Sequence, residues 1–478
     1  MNENTPYEKK VRNIRRLVWL YFWLLLFEGA LRKWIVPQLS TPLLIVRDPV
    51  LLLAYFLALR AGVFPRNAWV WSAGIIGVLS LALSFVPLWP YLSPDRIMLV
   101  GGYGFRSNFL HLPLIFLIPR VLRPEDVKKI GWWTLILIIP MSALLVAQFN
   151  AAPDSLWNRT ASGEGEMITA GMGKVRASGT FSFVIGVVAF YAMATAYLVW
   201  AALKGGVYKT WLLFAAGGAL FLGIAVSGSR SVVGACAVVV SSLFLVLLLR
   251  PSAVNRVGRA LVATAILAFI VMKAPVFKEG FNVLSTRFVD VAESTDHSIT
   301  VGLLARVIDG FTEGVFALGR APFLGYGLGI GTNAGAKFLT GRSIFLLAES
   351  EWTRIFLESG PVLGLAYVIW RCAAAFRIGV LCVRSVRLDN LLPLLLFSAC
   401  FMQLLSGQFG QPTILGFAVF TTGLALAART KEEDSIPGKG DEVGAEMPRH
   451  VLARRSPYAE RLHDAATSPD RSNGFIDR

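Results

Sequence analysis

Apolar residues in this chain gather in blocks about as long as a bilayer is thick, alternating with short polar or basic breaks. The runs at 211–226, 232–249 and 391–405 approach or reach the ~20 residues that a helix needs to cross a hydrocarbon core. About twelve spans are expected, near 17–36, 42–59, 68–89, 97–119, 131–149, 181–203, 210–227, 231–249, 260–275, 352–370, 390–405 and 414–428. The expected fold is therefore all-α, a polytopic membrane bundle of about twelve transmembrane helices.

The breaks are as informative as the blocks. Two polar connections, 150–180 and 276–351, are too long for simple turns, and loops of that length are functional or disordered. The second carries Gly325, Gly327, Gly329 and Gly331 between segments expected to form short helices, which suggests a small helical cap over the membrane mouth. In the fourth span Gly101-Gly-Tyr-Gly104 and Arg106 interrupt the apolar run, so a broken or re-entrant helix is expected, its backbone covered by protein. Residues 1–16 read as a basic N-terminal segment ahead of a retained first span, since no small-residue cleavage site follows it. Residues 17–428 form the membrane domain, and 429–478, with Pro, Gly and mixed charge, read as a disordered tail.

Composition agrees with this division, because 55% hydrophobic and 16% charged residues over 478 positions leave too little charge to cover a soluble domain. The net charge of +16 could suggest nucleic acid, but the basic residues punctuate the spans and no nucleic-acid motif occurs. Placing both termini in the cytoplasm puts most span-end arginines and lysines there, from Arg60 through Arg120 and Arg250 to Arg371 and Arg387. The opposite connections carry few, chiefly Arg32, Lys33 and Arg96. Cys236, Cys372, Cys382 and Cys400 have neither metal-site nor disulfide spacing and read as packing residues.

Candidate chemistry clusters on the expected outer face. Arg176, in Arg-Ala-Ser-Gly-Thr-Phe, either snorkels to headgroups or holds a phosphate with its planar guanidinium. Arg230 lies in a tight Ser227-Gly-Ser-Arg-Ser231 corner, where short outer loops usually avoid cations and where backbone N–H groups can approach an anion. Arg306 opens a segment leading to Pro322-Phe-Leu-Gly-Tyr-Gly327, whose glycines match no nucleotide-binding signature. Glu349 and Glu351 precede Trp352, with Arg354 and Glu358 following at helical spacing. They form either an ion-pair ladder or a base for an attacking hydroxyl. His111 reads as a satisfied buried histidine, and no zinc spacing or nucleophilic triad emerges.

Taken together, Arg176-Ala-Ser-Gly-Thr-Phe181, Ser227-Gly-Ser-Arg230, Arg306 with Pro322-Phe-Leu-Gly-Tyr-Gly327, and Glu358-Ser-Gly360 with Gly364 resemble the bacterial O-antigen ligase/polymerase superfamily over residues 170–370. The resemblance implies a metal- and nucleotide-independent glycosyltransferase at the outer face of the inner membrane. Its donor would be an undecaprenyl-diphosphate-linked glycan and its acceptor a glycan or lipid, among membrane lipids and polysaccharide-assembly proteins. It implies that Arg176, Arg230 and Arg306 grip the diphosphate. One departure stands out: ligases of this family commonly carry a histidine where this chain has Glu349, so the base would be Glu349 or Glu351, or the acceptor would differ, or the activity would be that of a polymerase rather than a ligase. Two other classes remain open: a transporter or flippase of lipid-linked glycan, and a non-catalytic scaffold of a polysaccharide-assembly machine.

Overall fold

The computed structural model describes residues 6–161, 169–295, 299–342 and 344–429, with side chains placed outside Pro6 and 290–307. The chain is helical almost throughout, its β-structure among the described residues being one two-stranded hairpin. The helices are, in order, α1 (Pro6–Ala30), α2 (Ser40–Leu43), α3 (Arg47–Arg60), α4 (Ala68–Leu83), α5 (Phe85–Leu88), α6 (Pro94–Phe105), α7 (Pro113–Val121), α8 (Pro124–Asn150) and α9 (Val184–Lys204). They continue as α10 (Thr210–Val226), α11 (Arg230–Leu249), α12 (Val254–Val271), α13 (Pro275–Thr295), α14 (Ile299–Arg320), α15 (Asn333–Thr340), α16 (Glu351–Arg387), α17 (Leu392–Ser406) and α18 (Pro412–Ala427). The hairpin pairs β1 (Thr169–Gly171) with β2 (Lys174–Val175).

Among the described residues 7 helical stretches are long and apolar enough to cross a membrane, and α10, α17 and α18 are shorter apolar helices. This is a membrane protein by its helices, with the bilayer-facing sides still visible. In α12 only 6% of the span is covered by protein, and Phe244, Phe269 and Phe376 stand exposed on three different helices. At the centre lie α9, whose span is 78% covered, and α18, in which the side chains from Ile414 to Ala425 are buried. An apolar helix can face lipid as well as protein, so what sets these two apart is their coverage by neighbouring helices. Around this pair α7 and α17 flank α18, α11 flanks α9, and α8 packs on α10.

The expected spans match helices α4, α8–α11, α17 and α18 to within several residues. Four places differ, the first being α1, which begins at Pro6 rather than near 17 and passes into a π turn at Leu31–Ile35. In the fourth span the helix does not stop at the glycines; α6 runs through them and passes into one turn of π-helix at Arg106–Leu110 before α7. The glycines serve close packing instead, Gly104 lying against the backbone of Leu328 and Gly329. The second long connection carries helices of 21 and 22 residues, α13 and α14, rather than short ones.

The largest difference is in α16. What reads as one span at 352–370 runs from Glu351 to Arg387 and is folded at Gly360, where φ is 74° and ψ 175°. Arg371, expected at the cytoplasmic end of a span, is instead fully buried partway along the second limb. The two limbs lie side by side, since Arg371 Nη1 reaches Glu351 at 2.7 Å. A straight helix would separate those residues by about 30 Å at 1.5 Å per residue. The 322–327 turn locks the fold: the N–H groups of Tyr326 and Gly327 donate to the carbonyls of Leu357 and Glu358 at 2.7 and 3.0 Å. A Cβ on Gly360 would lie 2.3 Å from Phe323 O, so glycine is required here for conformation and for space.

Helices α17 and α18 have 15 and 16 residues, so they rise about 22–24 Å, short of the ~30 Å hydrocarbon core. Arg384, Arg387, Asp389 and Arg429 mark one end of this pair as a membrane boundary. The connection 407–411 closes the other end of the pair, and its polar groups take protein partners.

Replacing Gly360 with alanine is expected to cost more than about 1 kcal/mol, because alanine resists positive φ and meets backbone here. A lowered unfolding midpoint in detergent is the expected result; an unchanged midpoint would contradict the locked fold.

Candidate functional site

The 407–411 connection packs against a buried ion network. Arg354 donates to both oxygens of Glu351 at 3.0 Å, to Glu358 at 2.7 Å and to Asn108 Oδ1 at 2.8 Å. Arg371 donates to Glu351 at 2.7 Å and to the carbonyls of Leu404, Gln403 and Gly407 at 2.9, 3.1 and 2.9 Å. The N–H of Phe409 completes the shell of Glu351 at 3.2 Å, and that of Gly331 donates to Glu358 at 2.8 Å. All four charged side chains are buried, so their charges must be matched within the protein. The Glu351–Arg354–Glu358 spacing forms the helical ladder visible in the sequence, with Arg371 closing it from the far limb.

Glu349 is placed differently. It is exposed and lines a cleft with Gly331, Thr332, Asn333, Phe345, Arg354, Gln408 and Gln411, directly above the network. Its backbone carbonyl accepts a hydrogen bond from Gln408. Of the two candidate carboxylates, Glu351 is saturated by two arginines and a backbone N–H, whereas Glu349 is exposed and is among the residues lining the cleft. The cleft is small, about 10 Å³, room for roughly one water molecule.

Arg176 and Arg230 share a second neighbourhood, around the hairpin. Arg176 follows β2 directly, and Gly228, in the corner before Arg230, packs against Ala170 of β1. Arg230 donates to Arg287 O on α13 at 2.9 Å, while the Arg287 side chain donates back to Thr169 and Ala170 O at 3.3 Å. Lys174 pairs with Glu279 at 2.8 Å, fastening the hairpin to the same helix. Arg306 lies in α14, but its side chain falls outside the described residues.

Lysine and arginine at the end of the first span support the Arg176 segment from below. Lys33, fully buried, donates to Ser178 Oγ at 2.6 Å and to Gly179 O at 3.1 Å. Arg32 reaches Ser182 Oγ at 3.0 Å and Glu28 at 3.6 Å. Glu28 accepts from Arg47 at 2.9 Å, and Arg47 donates to Pro412 O at 2.6 Å, beside Gln411 of the cleft. A continuous polar chain thus ties the Arg176–Ser182 segment to the wall of the cleft. Beneath it Tyr21 meets His111 Nδ1 at 2.9 Å, and Asp48 accepts from Arg106 at 2.6 and 3.1 Å and meets His111 Nε2 at 3.1 Å.

Lys33, Arg47 and Arg371 also build the site. In the sequence Lys33 and Arg371 mark only membrane sidedness, and the one further signal is a cation close to a span's apolar core. His111 is buried and hydrogen-bonded, as expected of it. The four cysteines are free, three of them buried. His297 and the 430–478 tail lie outside the described residues, and among those described no group of three or more His, Cys, Asp or Glu stands together. No protein-family model matches the chain, and no curated protein matches it.

The two glutamates should separate by stability. Glu351→Gln uncovers two buried arginines and is expected to cost about 3–5 kcal/mol. Glu349→Gln, at an exposed position, should stay within about 0.5 kcal/mol. Unfolding of the purified variants in detergent checks both; equal losses would contradict the distinction.

Proposed function

We propose that this chain is a membrane glycosyltransferase of the O-antigen ligase/polymerase type. It transfers a glycan from an undecaprenyl-diphosphate carrier to a glycan or lipid acceptor at the outer face of the inner membrane, with both termini cytoplasmic. The observation that carries the reading is the polar chain from Ser182 through Arg32, Glu28 and Arg47 to Pro412, which joins the Arg176 segment to the Glu349 cleft. A cationic anchor for a diphosphate and an open carboxylate are the two parts such a transfer requires.

In this scheme Arg176, Arg230 and Arg306 hold the diphosphate and offset the negative charge it gains as the bond to the anomeric carbon breaks. The acceptor hydroxyl enters the cleft, Glu349 takes its proton, and the hydroxyl oxygen forms the new glycosidic bond. Undecaprenyl diphosphate leaves between the spans. Glu351 is a positioning residue: it fixes Arg354, which lines the cleft, and the N–H of Phe409, which lies between the lining residues Gln408 and Gly410. Helices α13 and α14 act as the cap over the mouth. No metal or nucleotide enters the scheme.

A second reading, a transporter of lipid-linked glycan, draws on the buried charges Asp48, Arg106 and His111, since ionisable groups at membrane depth often mark a path. Their pairing, Arg106 on Asp48 and Asp48 on His111, favours a structural role.

Purified protein in liposomes with lipid-linked oligosaccharide is expected to yield longer or newly attached glycan. Arg176→Lys and Arg230→Lys, which keep charge but lose the planar fork, should each lower transfer by about tenfold or more, since a charged hydrogen bond is worth about 1.5–3 kcal/mol. Unchanged transfer in both variants would remove the diphosphate role, and movement of the glycan across the bilayer without transfer would favour the transporter.

A further inference from the structure

Helix α14 divides into three sectors along its described side chains, from Ile308 to Arg320. Gly310, Phe311, Gly314, Ala317 and Leu318 are buried or half-buried against the protein. The Phe311 ring meets Trp352 of α16 at 4.5 Å between centroids, and Gly314 lies against the same tryptophan. The exposed remainder is not uniform. Ile308, Val315 and Phe316 are 48%, 63% and 70% exposed. With Thr312 and Gly319 they fill about 100° of the helix circumference. Asp309, Glu313 and Arg320, also exposed, occupy the narrow sector beside them.

The apolar sector continues a surface that faces the bilayer. On the second limb of α16 the exposed side chains Val362, Leu365, Ile369 and Phe376 recur at the spacing of one helix face. About 33 Å separate Val362 from Arg384 along a helix that rises about 1.5 Å per residue, close to the ~30 Å of a hydrocarbon core. The strip therefore ends at the membrane boundary opposite Arg384 and Arg387. Phe323, also exposed, carries it onward: its carbonyl lies against Gly360, and α14 ends just before it at Arg320.

We propose that α14 lies in this boundary, with Ile308, Val315 and Phe316 among phospholipid acyl chains and Asp309, Glu313 and Arg320 in water. The two exposed sectors select lipid as the occupant. Full immersion would place two exposed carboxylates in hydrocarbon, and full exposure to water would strand an apolar face that adjoins the lipid-facing strip of α16. A helix at the boundary meets both conditions, its apolar side chains entering the acyl region by ~5–10 Å. The inference concerns this helix alone and stands whichever reaction the cleft serves.

The wild-type protein in liposomes tests it with two probes read residue by residue by mass spectrometry. One is a lipid-soluble diazirine activated by light; the other is a water-soluble carbodiimide with an amine, which modifies carboxylates. Diazirine labelling of Val315, Phe316 and Phe323 is expected within about threefold of that at Val362, Leu365 and Ile369, because both sets share one acyl layer. Asp309 and Glu313 are expected to take the carbodiimide label without detergent. Diazirine labelling confined to Val362, Leu365 and Ile369 would overturn the proposal. So would carboxylates at Asp309 and Glu313 that react only after detergent is added, or a crosslink joining two chains through α14 with Phe316 unlabelled.

Discussion

A charge at membrane depth must find its counter-charge inside the protein, and in this chain that requirement is met chiefly by the pair Arg371–Glu351. The bilayer offers neither water nor ions to either group, so each is stable there only beside the other. Because Arg371 sits on one limb of α16 and Glu351 on the other, their pairing holds the two limbs together. Because Arg371 also takes three carbonyls at the end of α17, it fixes the height at which the short α17–α18 pair ends. The cleft adjoins this arrangement: Arg354 lines it, and the Phe409 N–H that Glu351 binds lies between the lining residues Gln408 and Gly410.

The same logic extends sideways. Arg354 reaches Asn108 in the π-turn that follows α6, and Arg106 in that turn engages Asp48 on α3. Arg47, next to Asp48, carries the contact to Glu28 and to Pro412. Few ordinary helical contacts could connect the first span, the broken fourth span and the last hairpin in this way. Buried ion pairs add little net stability compared with apolar packing, but they punish wrong partners, and that property suits a bundle whose helices are otherwise alike.

Much of this fold was legible in the sequence, for identifiable reasons. Helices α8, α9 and α11 are long, uniformly apolar and bounded by basic residues, so length and hydropathy find them. The interruption of the fourth span was also legible, from Arg106, although its form as a π-turn was not. The folded α16 was hidden because hydropathy averages over direction: a helix that doubles back has the same apolar content as one that continues. The signals were Gly360-Pro361 and an arginine ten positions on, and only the contact between Arg371 and Glu351 gives them meaning. For the site, the proximity of Glu349 to the cleft and the neighbourhood of Arg176 and Arg230 follow residues the sequence marks. The supporting roles of Lys33 and Arg47 depend on contacts over more than a hundred positions, which no local pattern encodes.

The central claim is that the Glu351–Arg371 pair holds the two limbs of α16 together, and a double-mutant cycle tests it most directly. Unfolding free energies would be measured in detergent for wild type, Glu351→Gln, Arg371→Gln and the combined variant. The account predicts strong coupling, above about 1 kcal/mol, with the combined variant no less stable than the worse single one. Losses that add within about 0.5 kcal/mol would show that the two groups act independently and would contradict it.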